Sequence, residues 1–469
     1  MKLLIPFLAV ILAGCAAKIP DSRIGVVSKN APPRWFARPE AKTGIDTNWV
    51  RRIGGSRGEV LVNHALASNP DMRVAAERVN RAVASAKTAG ASMKPQVSAG
   101  LNASRQKQIF VGFPFGGGGV ASSISENFGA NLAVSWEPDV WGFNRAGQAA
   151  LIADAQAEGN AFRASRASLA AQVMRAWLAL AEANEQIALA TETDSLLKST
   201  FEIVRDRYTN ALADEGGSAS QVRLAQSEIA NNEALLAQRT GEREQAIRQL
   251  EVLMGSYPKG AVQSAERLPA VPPMPPAGLP SELLLRRPDI LQAERRFASS
   301  GSLLKQARLA FYPSFAITAR GGTTTDSLRK IFNSDFGVWS LAGSLSQPIW
   351  AGGALRSEYA KMKSDDRSNL AKLQSTVLKA FGEVEQTLVA ERFLAQREAA
   401  IAKAVKTAIE AADAAASEYS GGTGDALTLI TAQSKRIALL SQKVSLRRLR
   451  LDNRITLHLA LGGDYRPGK

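Results

Sequence analysis

Gly278-Leu279-Pro280-Ser281-Glu282-Leu283-Leu284-Leu285-Arg286-Arg287-Pro288-Asp289-Ile290 is the stretch whose reading decides the fold. It closes a run beginning at Leu268 with prolines at 269, 272, 273, 275, 276 and 280. Each proline removes a backbone donor and fixes φ, so the run is neither helix interior nor central strand. It reads as an extended, polyproline-like linker. The sequence after the linker resembles the sequence before it. Asn69-Pro70-Asp71-Met72 opens the first half and Arg287-Pro288-Asp289-Ile290 the second. Lys94-Pro95-Gln96-Val97 matches Tyr312-Pro313-Ser314-Phe315 at the same offset of 218 residues (70→288, 95→313). Pro138-Asp139-Val140-Trp141 matches Gln347-Pro348-Ile349-Trp350, and Tyr208 with Gln226-Ser227 matches Tyr419 with Gln433-Ser434. Landmarks recurring in one order mark an internal duplication joined by the linker.

The chain opens with Lys2, an apolar run Leu3–Leu12, and Leu12-Ala13-Gly14-Cys15. A run this short cannot span a bilayer as a helix, which needs about 20 residues. It fits the apolar region of a secretory signal. The last four residues resemble the bacterial lipobox, in which the cysteine is lipidated and becomes the mature N-terminus. Cys15 is the single cysteine, so no internal disulfide competes for its thiol. The residues after it are alanines rather than an aspartate, which favours the outer over the inner membrane. From Ala16 to Ile53 the chain is rich in Pro, Gly and Arg and reads as an extended tether.

The formal charge is +15. A basic balance points to nucleic acid or an anionic membrane surface. Here the basic residues, such as Lys435, Arg436, Lys443, Arg447, Arg450 and Arg454, are spread round one helical stretch behind an export signal. They read as a solvated helix surface in an assembly, and nucleic acid is not an expected partner.

Each half reads as a helix, a strand pair, a very long helix and a shorter one. Pro70–Lys94 and Pro288–Leu309 are uninterrupted, with proline in the first turn. Both run into a second proline and then period-2 alternation. In the first half Val97, Ala99, Leu101 and Ala103 alternate with polar residues. After the loop Gly112–Gly119, Phe128, Ala130, Leu132, Val134 and Trp136 do the same. In the second half Phe315, Ile317 and Ala319 form a short apolar face, and Trp339, Leu341, Gly343 and Leu345 a longer one. A water-soluble sandwich would also alternate. Uncharged polar faces, lengths of about ten residues and aromatic strand ends instead favour a transmembrane barrel. Open strand edges are not tolerated in lipid, and bacterial barrels need about eight strands or more. The four strands of one chain must therefore close with those of other protomers. No proline interrupts Asn144–Tyr208 or Ala354–Tyr419. Each is a helix of roughly 95 Å at 1.5 Å per residue. Val173, Trp177 and Leu180, like Leu373, Val377 and Val384, recur at coiled-coil spacing.

Leu61–Asp71, Trp136-Glu137-Pro138-Asp139-Val140-Trp141-Gly142, Gly278–Ile290, Phe311–Phe315 and Gln347–Gly353 together resemble the TolC-like outer-membrane factors. The resemblance is to their lipoprotein branch, the NodT-like group paired with resistance-nodulation-division pumps, and covers nearly the whole mature chain. It implies a homotrimer whose strands form one twelve-stranded outer-membrane barrel, continuous with a twelve-helix periplasmic α-barrel. The linker would belong to an equatorial belt. The implied partners are a periplasmic adaptor (a membrane fusion protein), an inner-membrane pump of that class and outer-membrane lipid. The implied localisation is the outer membrane, lipid-anchored, with a large periplasmic extension. The corresponding division is a signal at 1–14, a tether at 15–69, repeats at 70–267 and 288–462 about the linker 268–287, and a tail at 463–469.

The two helix turns are the expected gate and docking surface. In the second half the turn is Tyr419-Ser420-Gly421-Gly422-Thr423-Gly424-Asp425, close to the family form. The first-half turn, carrying Asp214, Glu215, Gly216 and Gly217, is longer: Tyr208 to Gln226 is 18 residues, Tyr419 to Gln433 is 14. Thr428 and Thr431, at a spacing of three on one helix face, are expected to line the constriction. They stand where several family members carry aspartates, which argues against a cation-binding acidic gate.

Catalytic signals are weak. Gly54-Gly55-Ser56-Arg57-Gly58 fits the hydrolase elbow, but Trp49-Val50-Arg51-Arg52-Ile53 before it is too charged for the buried strand an elbow needs. It reads as a flexible turn. Gly116–Gly119 lacks the Lys-Ser/Thr of a phosphate loop, and His64 and His458 form no metal cluster. The expectation is no enzyme, no metal and no cofactor beyond a covalent lipid on Cys15. An efflux exit duct is favoured. A type I secretion duct is the alternative, and a trimeric coiled-coil adhesin or rod is a second one. The rod would place strands at one end of the chain, not within each half.

Overall fold

The computed structural model describes residues 17–29, 31–38, 48–110, 121–210, 218–262, 267–463 and 465. They are mostly helical, with four antiparallel strands. The elements are α1 (Trp49–Ser68), α2 (Pro70–Ala91), β1 (Gln96–Phe110), β2 (Ala121–Trp136), α3 (Phe143–Asn210) and α4 (Ala219–Leu253), then α5 (Pro288–Leu309), β3 (Ser314–Thr325), β4 (Gly337–Ser346), α6 (Ala354–Ser420) and α7 (Ala426–Ala460). Single helical turns form at Gly25–Ser28 and Pro280–Leu283.

One compact unit holds Arg78–Glu158, Ala293–Leu373 and the described residues up to Arg23. Its sheet has the order β1-β2-β3-β4, each neighbour antiparallel. The register aligns the apolar positions across all four strands. Ala99 pairs with Leu132, Leu132 with Gly321, Ala319 with Leu341 and Phe315 with Leu345. Asp139 starts α3 by accepting hydrogen bonds from the backbone N–H groups of Asn144 and Arg145, at 3.1 and 2.8 Å. Trp141 donates its indole N–H to the Pro313 carbonyl at 2.8 Å and packs on Tyr312. Arg23 of the tether donates to Asp366 at 2.7 Å and lies over the Phe297 ring.

The strands depart from the sequence reading in two ways. β1 and β2 run to 15 and 16 residues, not about ten, because their hydrogen-bonded ladder continues outward through the ion pair Arg105–Glu126 (3.2 Å) after apolar alternation has stopped. β3 continues through Arg320 to Thr325, beyond the short apolar face that ends at Ala319. The polar face of the sheet is therefore not wholly uncharged.

The second unit holds Ile24–Glu77, Gly159–Gln292 and Gln374–Lys469. Its core joins Trp49, Ile53, Met174, Trp177, Leu250, Leu451 and Ile455. The tether reading fails from Trp49 onward, where α1 begins; of the expected turn Gly54–Gly58 only a break at Gly55 is present, between two helical runs of α1. On a helix Arg51 and Arg52 face outward while Trp49, Val50 and Ile53 are buried, so the charges that exclude a buried strand permit a helix. A Cβ on Gly54 would lie 2.7 Å from Met174 Cε, so the glycine is there for close packing. Gly55, at φ 61°, kinks the helix.

The organising motif ties helix ends together. Arg287 is buried and holds Asp289 with two hydrogen bonds (3.0 and 2.6 Å), Glu383 at 2.7 Å and the Ala460 carbonyl at the end of α7 at 3.1 Å. In the first half Asn69 donates to the Leu253 carbonyl at the end of α4 at 2.9 Å and caps Asp71 N–H at 2.8 Å. Two different side chains thus satisfy the corresponding helix-end carbonyl, which has no partner within its own helix, in each half. Within the linker, Trp35 of the tether is buried and donates to the Gly278 carbonyl at 3.0 Å.

Candidate functional site

The turn between α6 and α7 is built by backbone chemistry. Carbonyls at the end of α6 accept from the glycine-rich segment: Ser417 from Gly421 N–H at 2.9 Å, and Glu418 from Thr423 and Gly424 N–H at 3.1 and 2.9 Å. Gly422 has φ 87°, the left-handed region. A Cβ on Gly424 would meet Tyr419 N at 2.7 Å, so no side chain fits. Asp425 then caps α7, accepting from Leu427 and Thr428 N–H at 3.1 and 3.3 Å. Across the tip, Ser218 forms a capping box with Gln221 at the start of α4. Gln221 also donates to Asp425 at 3.3 Å, so the two helix starts are linked.

Tyr419 is the anchor beneath this turn. It is 2% exposed and packs with Val204, Ala415, Ala426 and Leu429. The Arg207 guanidinium lies 4.2 Å from its ring and donates to its carbonyl. Burial pushes the phenol up from its ordinary range against the pull of Arg207. Its counterpart by sequence, Tyr208, is 46% exposed.

Thr428 and Thr431 stand together on the exposed face of α7, while Leu429 and Ile430 turn inward. The same exposed stripe runs from the capping Asp425 through both threonines to Lys435. Gly421, Gly422, Thr423 and Asp425 are exposed at the turn, and Gly424 is half-buried. Asp214, Glu215, Gly216 and Gly217 lie outside the described residues, as does Cys15.

The sheet supplies the second functional surface. Its apolar face is open: Leu101 is 78% exposed, Leu132 53%, Leu341 69% and Trp339 83%. From Phe128 to Trp136 is roughly 27 Å along the strand, which a tilt of about 40° reduces to about 20 Å, near the height of a barrel's lipid-facing band. The Arg105–Glu126 pair lies beyond Phe128 on the same face. On the opposite face Arg320 is exposed, between Ala133 and Ser340. Sequence reading missed it by stopping at Ala319. No alternation marks it there, since Ala319 is followed by Arg-Gly-Gly-Thr-Thr-Thr. No described helix is long and apolar enough to cross a membrane.

The family model for outer membrane efflux proteins matches residues 61–256 and 279–463. The pyoverdine export outer membrane protein OpmQ of Pseudomonas aeruginosa is 27% identical over 474 residues, spanning 99% of this chain and 97% of that one. The probable outer membrane lipoprotein SilC of Salmonella typhimurium is 26% identical over 480 residues, 99% of each chain. Among solved structures, the outer-membrane channel OprN is alike in fold, with a TM-score of 0.86 at 24% identity over 95% of this chain and 98% of that one. The open state of the Neisseria gonorrhoeae MtrE outer membrane channel has a TM-score of 0.81 at 25% identity, over 96% and 99%. With both halves matched on either side of the linker, and with an open apolar sheet and long paired helices, the chain belongs to the outer membrane efflux protein family, the outer-membrane channels of efflux systems.

Proposed function

We propose that three copies of this chain close one twelve-stranded barrel and one twelve-helix barrel, forming the exit duct of a tripartite efflux system. The observation that carries this reading is the sheet. β1 and β4 each pair on one side only, both are exposed throughout, and the sheet has one continuous apolar face. Unpaired edges in lipid leave backbone groups unsatisfied at several kcal/mol each, so a lipid-facing sheet of this kind demands partners on both edges. The helices support the same arithmetic. Tyr419 is buried against α3 of its own chain, whereas its counterpart Tyr208 is open. Gln433 is buried and accepts from Thr200 at 3.1 Å, whereas its counterpart Gln226 is exposed. In a closed ring the open members of each pair meet the next protomer.

The duct is passive and takes its solutes from a resistance-nodulation-division pump through a periplasmic adaptor, which grips the helix turns around Gly421–Asp425 and Gly216–Gly217. A lipid on Cys15 adds an anchor, and the internal duplication supplies two hairpin tips per chain. Leu132 and Leu341, mid-sheet on the apolar face, test the barrel. Either residue changed to Arg costs about 2–4 kcal/mol at the bilayer midplane, and the yield of membrane-inserted trimer falls sharply in the double variant L132R/L341R. Unchanged trimer yield from that double variant overturns the assignment of this face to lipid.

A further inference from the structure

The polar face of the sheet carries one charge at the depth of the apolar band. Arg320 pairs across to Ala133 on β2 and Ser340 on β4. Ala133 adjoins Leu132, which lies midway between Phe128 and Trp136. Every other position on that face of the four strands is Ser, Thr, Asn, Gln, Gly, Ala, Val or Phe. Arg105, Lys107 and Glu126 belong to the opposite face, beyond the apolar band. The hairpin sequence 111–120 contains no charged residue. The nearest carboxylate of matching parity is Glu137, one residue past β2, roughly 13 Å along the strand from Ala133. Arg320 is exposed and makes no ion pair among the described residues. Beside it, Gly322 is closed against β2: a Cβ there would sit 2.1 Å from the Ala130 carbonyl oxygen. Position 322 therefore has no room for a side chain beside Arg320, and its cross-strand partners on that face, Asn131 and Val338, are uncharged.

An unpaired charge at membrane depth is costly and tolerated where it faces water, and such residues mark solute pathways. We propose that Arg320 gives the duct a preference for anionic solutes. The inference rests on the barrel reading above, in which this face lines the lumen and three copies of Arg320 form one ring. A ring of arginines favours anions in a pore. Low-dielectric walls focus its field.

The test is the reversal potential of the purified trimer in planar bilayers under a steep KCl gradient. Wild type favours chloride, more strongly at low ionic strength, where the Debye length grows to about 30 Å at 0.01 M. R320Q lowers the chloride-to-potassium permeability ratio roughly twofold or more, R320E inverts the preference and R320K retains it. Assembly of each variant is checked by its trimer band. Equal selectivity in wild type and R320Q, with both conducting, overturns the role of Arg320 and leaves the channel intact as a reading. A wild type that gives no trimer band counts against the barrel reading, and this proposal falls with it; an assembled, conducting wild type that favours potassium overturns the proposal alone.

Discussion

Thr428 and Thr431 carry the most local claim: both are exposed on α7, and in the proposed trimer they would stand either at the pore mouth or against a neighbouring helix. Heptad seams use the same spacing. Cysteines at these positions separate the two placements. At a closed mouth, oxidation of T428C or T431C links protomers and stops efflux, and reduction restores it. An intact trimer in which neither site cross-links puts the constriction elsewhere. Cys15 carries a second residue-scale expectation. Mass spectrometry of the mature N-terminus is expected to find it lipidated, and C15A is expected still to assemble, because the proposed barrel would itself hold the chain in the membrane. An unmodified Cys15, or cleavage at another site, contradicts the lipobox reading. At this scale the sequence was legible where backbone geometry demands a residue type. The glycines of the second turn are an example, since Gly422 needs a positive φ and Gly424 has no room for a Cβ. Arg320 was not legible in the same way. Its meaning depends on register with Ala133 and Ser340, and register is a property of paired strands rather than of one segment.

Among the elements, the long helices could be read closely from their proline-free spans and apolar spacing. The reading Asn144–Tyr208 became Phe143–Asn210, and Ala354–Tyr419 became Ala354–Ser420. Helix α1 could not be, because glycine in sequence signals a turn, whereas here Gly54 and Gly58 let α1 pack closely on Met174. The outer halves of β1 and β2 were hidden for a related reason. Their pairing is made by backbone groups, which continue through Arg105, Lys107 and Glu126 regardless of side-chain polarity. The joint between α6 and α7 offers a quantitative test. Glu391 and Arg454 are both buried, and Arg454 donates to the carboxylate at 2.8 Å, as does Arg450 at 2.9 Å. Burial pushes the Arg454 guanidinium down from its usual range against the pull of Glu391. Glu391→Gln leaves that guanidinium without a counter-charge and costs about 3–5 kcal/mol. Replacing both partners by apolar residues, E391L/R454M, restores most of the loss, since a buried pair is often no better than apolar packing. Thermal midpoints of the extracted protein check both. A midpoint for E391Q equal to wild type contradicts the account of this joint.

For the whole molecule the governing fact is an imbalance between what one chain contains and what a membrane requires. Four strands give the chain an apolar face without a closed sheet. The matched landmarks Tyr208 and Gln226 are exposed where Tyr419 and Gln433 are buried. The proposed trimer would resolve both imbalances by the same operation, joining further copies edge to edge, since only closure removes strand edges. In that proposed assembly exit-duct function would follow from enclosure, with the polar strand face as a wall and the helix turns as its accessible rim. Native mass spectrometry of the folded protein released gently from outer membranes tests this claim most directly. The predicted result is a species of three chains, with strand amides of β1 and β4 protected from exchange. A membrane-inserted, folded single chain with those edge amides protected would contradict it.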